Sequence, residues 1–241
     1  MAALMLHEQQ LPLPVQLPVH AQFSNFIVGD NAQAHAHLRR LPLAEWQPQD
    51  QFTLLFGGSG RGKTHLLCAL CEAFADAGHS SIYLPLTELA TPEAVAALNG
   101  IESYDLIALD DIHAVIAIPE WADALFALFN RVTDKRNSYL VCTALQSTAR
   151  LPIALADLRS RLQLAVTFHL KTLSDGEKVE ALQQHAKIRG LELANDVGEY
   201  MMQRLSRDMH QLMGVLDDLD KASMARQRRL TLPFIKQILQ F

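Results

Sequence analysis

The eight residues GGSGRGKT at 57–64 constrain this chain more than any other stretch. They satisfy the pattern G-x-x-x-x-G-K-[ST] at every fixed position. They stand between a short apolar run, FTLLFGG (52–58), and a helix-like stretch, KTHLLCALCEAFADAG (63–78). A buried strand leading through a Gly-rich turn into a helix is the setting in which this pattern wraps phosphates. Gly57, Gly58, Gly60 and Gly62, with Ser59 and Arg61 between them, let the backbone close on the anion. The loop N–H groups and the helix N-terminus present positive potential to it. Lys63 is expected to reach the β and γ phosphates of ATP or ADP, and the Thr64 hydroxyl to ligate Mg2+.

The segments that follow set the fold class. SSIYLPL (80–86), YDLIALDDI (104–112) and SYLVCTA (138–144) read as strands. TPEAVAALNG (91–100) and WADALFALFNRVTDKR (121–136) read as helices between them. Apolar strands alternating with helices predict a parallel sheet covered on both faces. After about residue 170 only helical patterns remain. SDGEKVEALQQHAKIRG (174–190) opens on a capping box, Ser174 with Glu177, and closes on Gly190. NDVGEYMMQRLS (195–206) opens on an Asn cap, RDMHQLMGVLDDLDKASMARQ (207–227) is amphipathic, and TLPFIKQILQF (231–241) opens on Thr231. The expected organisation is a flexible tail at 1–20, an α/β P-loop domain at 21–170, and a small all-helical domain at 171–241.

LIALDDI delivers two carboxylates at the C-terminal end of its strand, where ligands of open α/β sheets bind. Asp110 is expected to hold the magnesium, directly or through water, and Asp111 to orient an attacking water. Phosphoryl transfer also needs a cation against the charge spread over the moving group. An Arg finger can supply about 10³–10⁵ in rate, or roughly 4–7 kcal/mol of barrier. The candidates are Arg150, Arg159 and Arg161. On pattern alone, Arg159 or Arg161 can equally be a surface residue paired with Asp157.

Composition narrows the classes. A net charge of −5 argues against a surface given over to nucleic acid, which needs clustered Lys and Arg. The Arg226-Gln227-Arg228-Arg229 run fits a solvated helix end about as well as a weak DNA phosphate contact. Cys68, Cys71 and Cys142 cannot form a disulfide framework, and C-x-x-C at 68–71 falls in an apolar helix pattern, so these read as core thiols rather than zinc ligands. No apolar run approaches the roughly 20 residues of a membrane span, and the start lacks signal-peptide regions. A cytoplasmic protein without membrane contact is expected.

Together these stretches resemble the ATPase domain of the bacterial replication initiator DnaA, an AAA+ protein, and the shortened regulatory relatives in its family. The resemblance runs from about Phe23 to Phe241. FSNFIVGDNAQA (23–34) is similar to the segment bordering the adenine, which assigns Phe26 to the base. GRGKTHLL adds His65 to the nucleotide site, and LDDIHAV is similar to the second nucleotide motif. LADLRSRL resembles the box carrying the inter-subunit Arg finger, with Arg161 in the finger position. The helical region resembles the family's lid, more that of the shortened relatives than that of DnaA.

Two departures accompany the resemblance. His210 stands where the family's second sensor is an Arg, with Arg207 one turn earlier, so phosphate sensing is weakened or moved to Arg207. Thr143-Ala144-Leu145 stands where relatives carry an acidic residue; Thr143 can make a polar contact and Leu145 cannot. The chain stops at Phe241, where the lid's last helix is expected to end, so the origin-recognition module and the N-terminal oligomerisation domain are expected to be missing.

The tail reads in this light. Gln10-Leu11-Pro12-Leu13-Pro14-Val15 resembles a motif that inserts into the β sliding clamp of DNA polymerase III: Gln10 for the groove rim, Leu11, Leu13 and Val15 as apolar anchors. Two prolines hold the segment near an extended conformation, reducing the entropy lost on docking. Gln16-Leu17-Pro18-Val19 offers a rival register. The resemblance therefore implies a clamp-docked adaptor that stimulates hydrolysis of ATP bound to DnaA through Arg161 in trans, preventing re-initiation, with weak or no ATPase activity alone. The alternatives are an independent, helicase-loader-like ATPase and a nucleotide-gated platform without hydrolysis. Self-association stays open.

Overall fold

A computed structural model of the protein describes residues 21–239. Five parallel strands form one sheet in the order β2-β3-β4-β1-β5. They are β1 (Phe52–Phe56), β2 (Ser81–Pro85), β3 (Leu106–Asp110), β4 (Tyr139–Ala144) and β5 (Val166–His169). The central three run unbroken and apolar because both their faces are covered. Helix α1 (Ala32–Arg40) and α2 (Lys63–Asp76) lie on one face, where Leu38, Leu66, Leu70 and Phe74 pack with Leu55, Ala108 and Val141. Helices α3 (Pro119–Lys135) and α4 (Ala156–Gln163) cover the other, where Trp121, Leu125, Phe129 and Leu158 meet Leu54, Ile107 and Leu140.

Four further helices follow β5: α5 (Asp175–Ile188), α6 (Asn195–Arg204), α7 (Met209–Arg226) and α8 (Leu232–Leu239). They enclose a separate core around Leu182, Met201, Leu212, Leu216, Phe234 and Ile235. The helix starts follow their sequence cues closely. Ser174 and Glu177 close a reciprocal capping box on α5, and Asp208 accepts from the Gln211 N–H at the start of α7. Thus an α/β P-loop domain of AAA+ type is followed by a helical lid.

Three local expectations are corrected. The 91–100 segment is not an α-helix but a 3₁₀ helix, Pro92–Leu98. Pro92 opens it and Asn99-Gly100 ends it within seven residues, so tighter i→i+3 bonds such as Asn99 N–H to Ala96 O replace the α ladder. Asn195 does not cap α6. Ala194 holds that position, while the Asn195 amide spends its donor on Glu199 one turn along, 2.8 Å away. The helix expected over 207–227 begins two residues later, behind the Asp208 cap.

Cys68, Cys71 and Cys142 are all buried and unpaired. Burial pushes their thiols up, Cys71 and Cys142 to about 12, so they stay protonated and behave as small apolar groups. No helix among the described residues is long and apolar enough to cross a membrane. The tail, with Gln10, Leu11, Leu13 and Val15, lies outside the described residues.

Candidate nucleotide site

At the end of β1 the Gly57 N–H donates to the Ala144 carbonyl, 3.1 Å away, and the chain turns through residues 57–62 into α2. Gly60 and Gly62 sit at φ 68° and 79°, where a side chain is strained. A Cβ on Gly62 would stand 2.7 Å from the Phe26 ring. One on Gly60 would press on the backbone nitrogens of Met209 and His210 in the lid. Glycine here lets the entry segment and the lid close directly on the loop.

Lys63 is buried, and its ammonium donates to the carbonyls of Gly57 at 3.0 Å and Gly58 at 3.1 Å. Desolvation lowers its pKa, while Asp111 and Asp110 oppose that shift. The Thr64 hydroxyl donates to Asp110 Oδ2 at 2.7 Å, and the Tyr83 hydroxyl reaches the same oxygen at 2.9 Å. The Thr143 hydroxyl donates to Asp110 Oδ1 and itself accepts from the Asp111 N–H at 2.7 Å. Three hydroxyls from β2, β4 and α2 therefore fix one carboxylate at the end of β3.

Asp111 is built differently. Its backbone is left-handed, at φ 56°, which turns the side chain out of the strand direction and onto the pocket wall. Its Oδ1 is buried with no hydrogen-bond partner, and so is His113 Nδ1, 3.6 Å away. Desolvation and then the Asp110 charge raise its pKa, against His113 and Lys63.

Gly60, Gly62, Lys63, Thr64 and Asp111 line one cavity of about 490 Å³ with Phe26, Ser59, His65, Leu145, His185, Met209 and His210, and Asp110 is tied to it through the Thr64 hydroxyl. Phe26 stacks on His35 at 5.8 Å and tilts against His65 at 5.5 Å. His65 of α2 meets His185 of α5 edge-to-face at 5.9 Å, so the lid closes the pocket wall. Burial, next His65 and then Arg189 lower the His185 pKa to about 4, against Asp217. Burial also lowers that of His65. Both rings are neutral near pH 7.

The donor set fits a magnesium nucleotide on these observations: a glycine cradle that a Cβ would obstruct, a buried ammonium at its floor, a hydroxyl–carboxylate pair, and a second carboxylate residue, Asp111, in the cavity lining. The described residues contain no cluster of three or more His, Cys, Asp or Glu suited to a metal, so a cation here would be held by Thr64, a carboxylate and the phosphates themselves.

Not every sequence candidate converges here. Arg207 lies in a separate groove with Asn195, Glu199 and Met202, and it pairs with Asp175 at 3.0 Å. His210 does line the nucleotide cavity. Arg61 borders it too, yet its guanidinium swings to the Leu170 carbonyl at 2.8 Å. Arg159 donates to the carbonyls of Thr148, Leu151 and Ile153. The Arg161 side chain, half-buried on α4, makes no hydrogen bond or ion pair among the described residues. Neither arginine pairs with Asp157. Sequence reasoning missed Tyr83 and His185. Tyr83 carried the weak signal of a polar-tipped aromatic in an apolar strand, and His185 carried none.

Fold and pocket together define a P-loop AAA+ nucleotide site under a helical lid. Residues 17–172 match the bacterial DnaA ATPase domain, and residues 175–239 match the family described as Hda, lid domain. The chain belongs to the DnaA-related AAA+ family. Domain III of the replication initiation protein DnaA from Thermotoga maritima is similar at 19% identity and TM-score 0.77, over 94% of this chain and 98% of that one. AMPPCP-bound DnaA from Aquifex aeolicus is 21% identical with TM-score 0.69, over 87% of this chain and 67% of that one. The RuvB Holliday junction branch migration motor of Thermotoga maritima is 15% identical with TM-score 0.63, over 88% and 67%. At these identities the likeness to the solved structures is one of fold.

Proposed function

We propose that this protein is a cytoplasmic regulatory adaptor, with a tail at 1–20, a nucleotide-binding domain at 21–170 and a lid at 171–241. It binds ADP or ATP, docks through Gln10, Leu11, Leu13 and Val15 on the DNA-loaded β sliding clamp, and presents Arg161 to DnaA–ATP. Hydrolysis on DnaA then ends its competence to initiate. The observation that carries this reading is the contrast along one turn of α4. Arg159 is committed to three carbonyls of its own chain, whereas Arg161 is left for an outside acceptor. A guanidinium delivered to a neighbouring phosphoryl group acts by stabilising transition-state charge. The DnaA-like ATPase domain and the Hda-like lid support the family setting.

The protein's own nucleotide serves assembly in this account. Phe26 and His65 border the base, the 57–62 backbone and Lys63 hold the phosphates, and His210 faces them from the lid. A divalent cation held by Thr64 and Asp110 would supply charge neutralisation at the phosphates. One observation favours the second reading, an ATPase in its own right. Asp111 lines the cavity, where its carboxylate could orient an attacking water.

The two readings separate in one assay. DnaA loaded with ATP is mixed with clamp, DNA and this protein, as wild type, Arg161→Ala or Lys63→Ala. The adaptor reading expects Arg161→Ala to lose stimulation, and full activity of that variant contradicts it. Clamp capture adds a second test. Gln10→Ala should lose capture while Gln16→Ala keeps it; loss in neither variant removes the clamp from the account.

A further inference from the structure

Beside the nucleotide cavity, whose border residue Arg61 takes part, three basic side chains converge at the end of the edge strand β5. The Lys171 ammonium lies 3.1 Å from His169 Nδ1, and Arg61 Nη1 lies 3.4 Å from His169 Nε2. A neutral imidazole offers one acceptor nitrogen and carries a proton on the other. One of these two contacts therefore sets donor against donor. A protonated ring makes the imbalance worse, with three cations together. No carboxylate pairs with Arg61 or Lys171 among the described residues. Desolvation, then Lys171 and Arg61, depress the His169 pKa, and no acid counters them.

The cluster is held in place although it is open to solvent. Arg61 is anchored on the Leu170 carbonyl at 2.8 Å. The His169 ring lies parallel to Phe56 at 4.7 Å, with 7° between the planes. The buried Asn31 side chain clasps the Lys171 backbone from both sides, accepting from its N–H at 2.7 Å and donating to its carbonyl at 3.3 Å. Preorganised cations without an acid are what an oxyanion needs, because charge-assisted hydrogen bonds form without further ordering cost.

We propose that Arg61, His169 and Lys171 form a second anion site that takes a phosphate group, supplied by a nucleic-acid backbone or by free phosphate. An oxyanion between the three would accept from the guanidinium, the imidazolium and the ammonium together, and so relieve the donor conflict. The site adjoins the cradle at 57–62 and shares only Arg61 with it. Arg61 reaches it by turning its head away from that cradle to the β5 edge.

The test uses the full chain saturated with ADP and Mg2+, so that the P-loop does not take up the added phosphate. Inorganic phosphate is titrated while the His169 ring resonances are followed, assigned by their absence in His169→Gln. Phosphate should shift them and raise the ring's pKa, and Lys171→Gln should weaken the response about tenfold, as for one lost charge-assisted contact. Resonances that stay put, or that move equally in Lys171→Gln, overturn the site. Labelled single-stranded and duplex DNA form the second arm. A matching loss of DNA affinity in Lys171→Gln and His169→Gln assigns the ligand to the nucleic-acid backbone. A variant-sensitive response to phosphate alone assigns it to the free anion. Both side chains are exposed, and thermal melts confirm that the variants fold.

Discussion

Thr143 shows how much a single hydroxyl can organise. It donates to Asp110 and accepts from the Asp111 N–H, joining the two carboxylates of β3 to β4. Thr143→Val keeps the shape but leaves a buried N–H unpaired and removes one donor from a buried carboxylate. Each such loss costs about 1–3 kcal/mol. Lower stability in denaturant melts and weaker nucleotide binding are expected together; unchanged stability would mean that water replaces the hydroxyl. His185 supplies a pH-dependent prediction. Its folded pKa, about 4, lies below the ordinary histidine value of 6.5. The unfolded chain therefore binds more protons across that interval, and stability falls as pH drops from 6.5 towards 4. The ring is partly exposed, so screening reduces the effect to on the order of 1 kcal/mol. Melting temperature against pH should fall less steeply in His185→Gln than in wild type, and parallel curves would contradict the assignment.

The lid helices touch through a glycine. A Cβ on Gly198 of α6 would meet Val179 Cγ1 of α5 at 2.6 Å. Overpacking of this kind costs about 1–3 kcal/mol, against the roughly 1 kcal/mol that Ala gains over Gly inside a helix. Gly198→Ala should thus lower stability, and pairing it with Val179→Ala should show a favourable coupling in a double-mutant cycle. A stabilised Gly198→Ala would mean that the two helices separate freely. The same elements show where the sequence was legible. Strand runs such as LIALD read cleanly because burial on both faces leaves only apolar residues. The Ser174 and Glu177 cap read cleanly because it is local. Asn195 misled because its amide had two local partners, a backbone cap or Glu199, and sequence does not rank them. Arg207 and His210 are three residues apart, and which of them faces the nucleotide depends on how the lid docks, a non-local fact. Tyr83 is similar: alternation gives its face, but its reach to Asp110 depends on strand pairing.

Across the described residues, the P-loop, Asp111 and the lid converge on one cavity, while α4 holds one arginine with no hydrogen bond or ion pair among those residues. In the proposed function, the protein uses its own nucleotide to set its shape and acts on another molecule's. The most direct test is single-turnover hydrolysis of labelled ATP preloaded on DnaA, with clamp and DNA in excess, comparing wild type with Arg161→Ala. An arginine finger is worth about 10³–10⁵ in rate. The expected result is that Arg161→Ala abolishes the acceleration while keeping wild-type stability, nucleotide binding and clamp capture. Acceleration by Arg161→Ala equal to wild type would contradict the central claim.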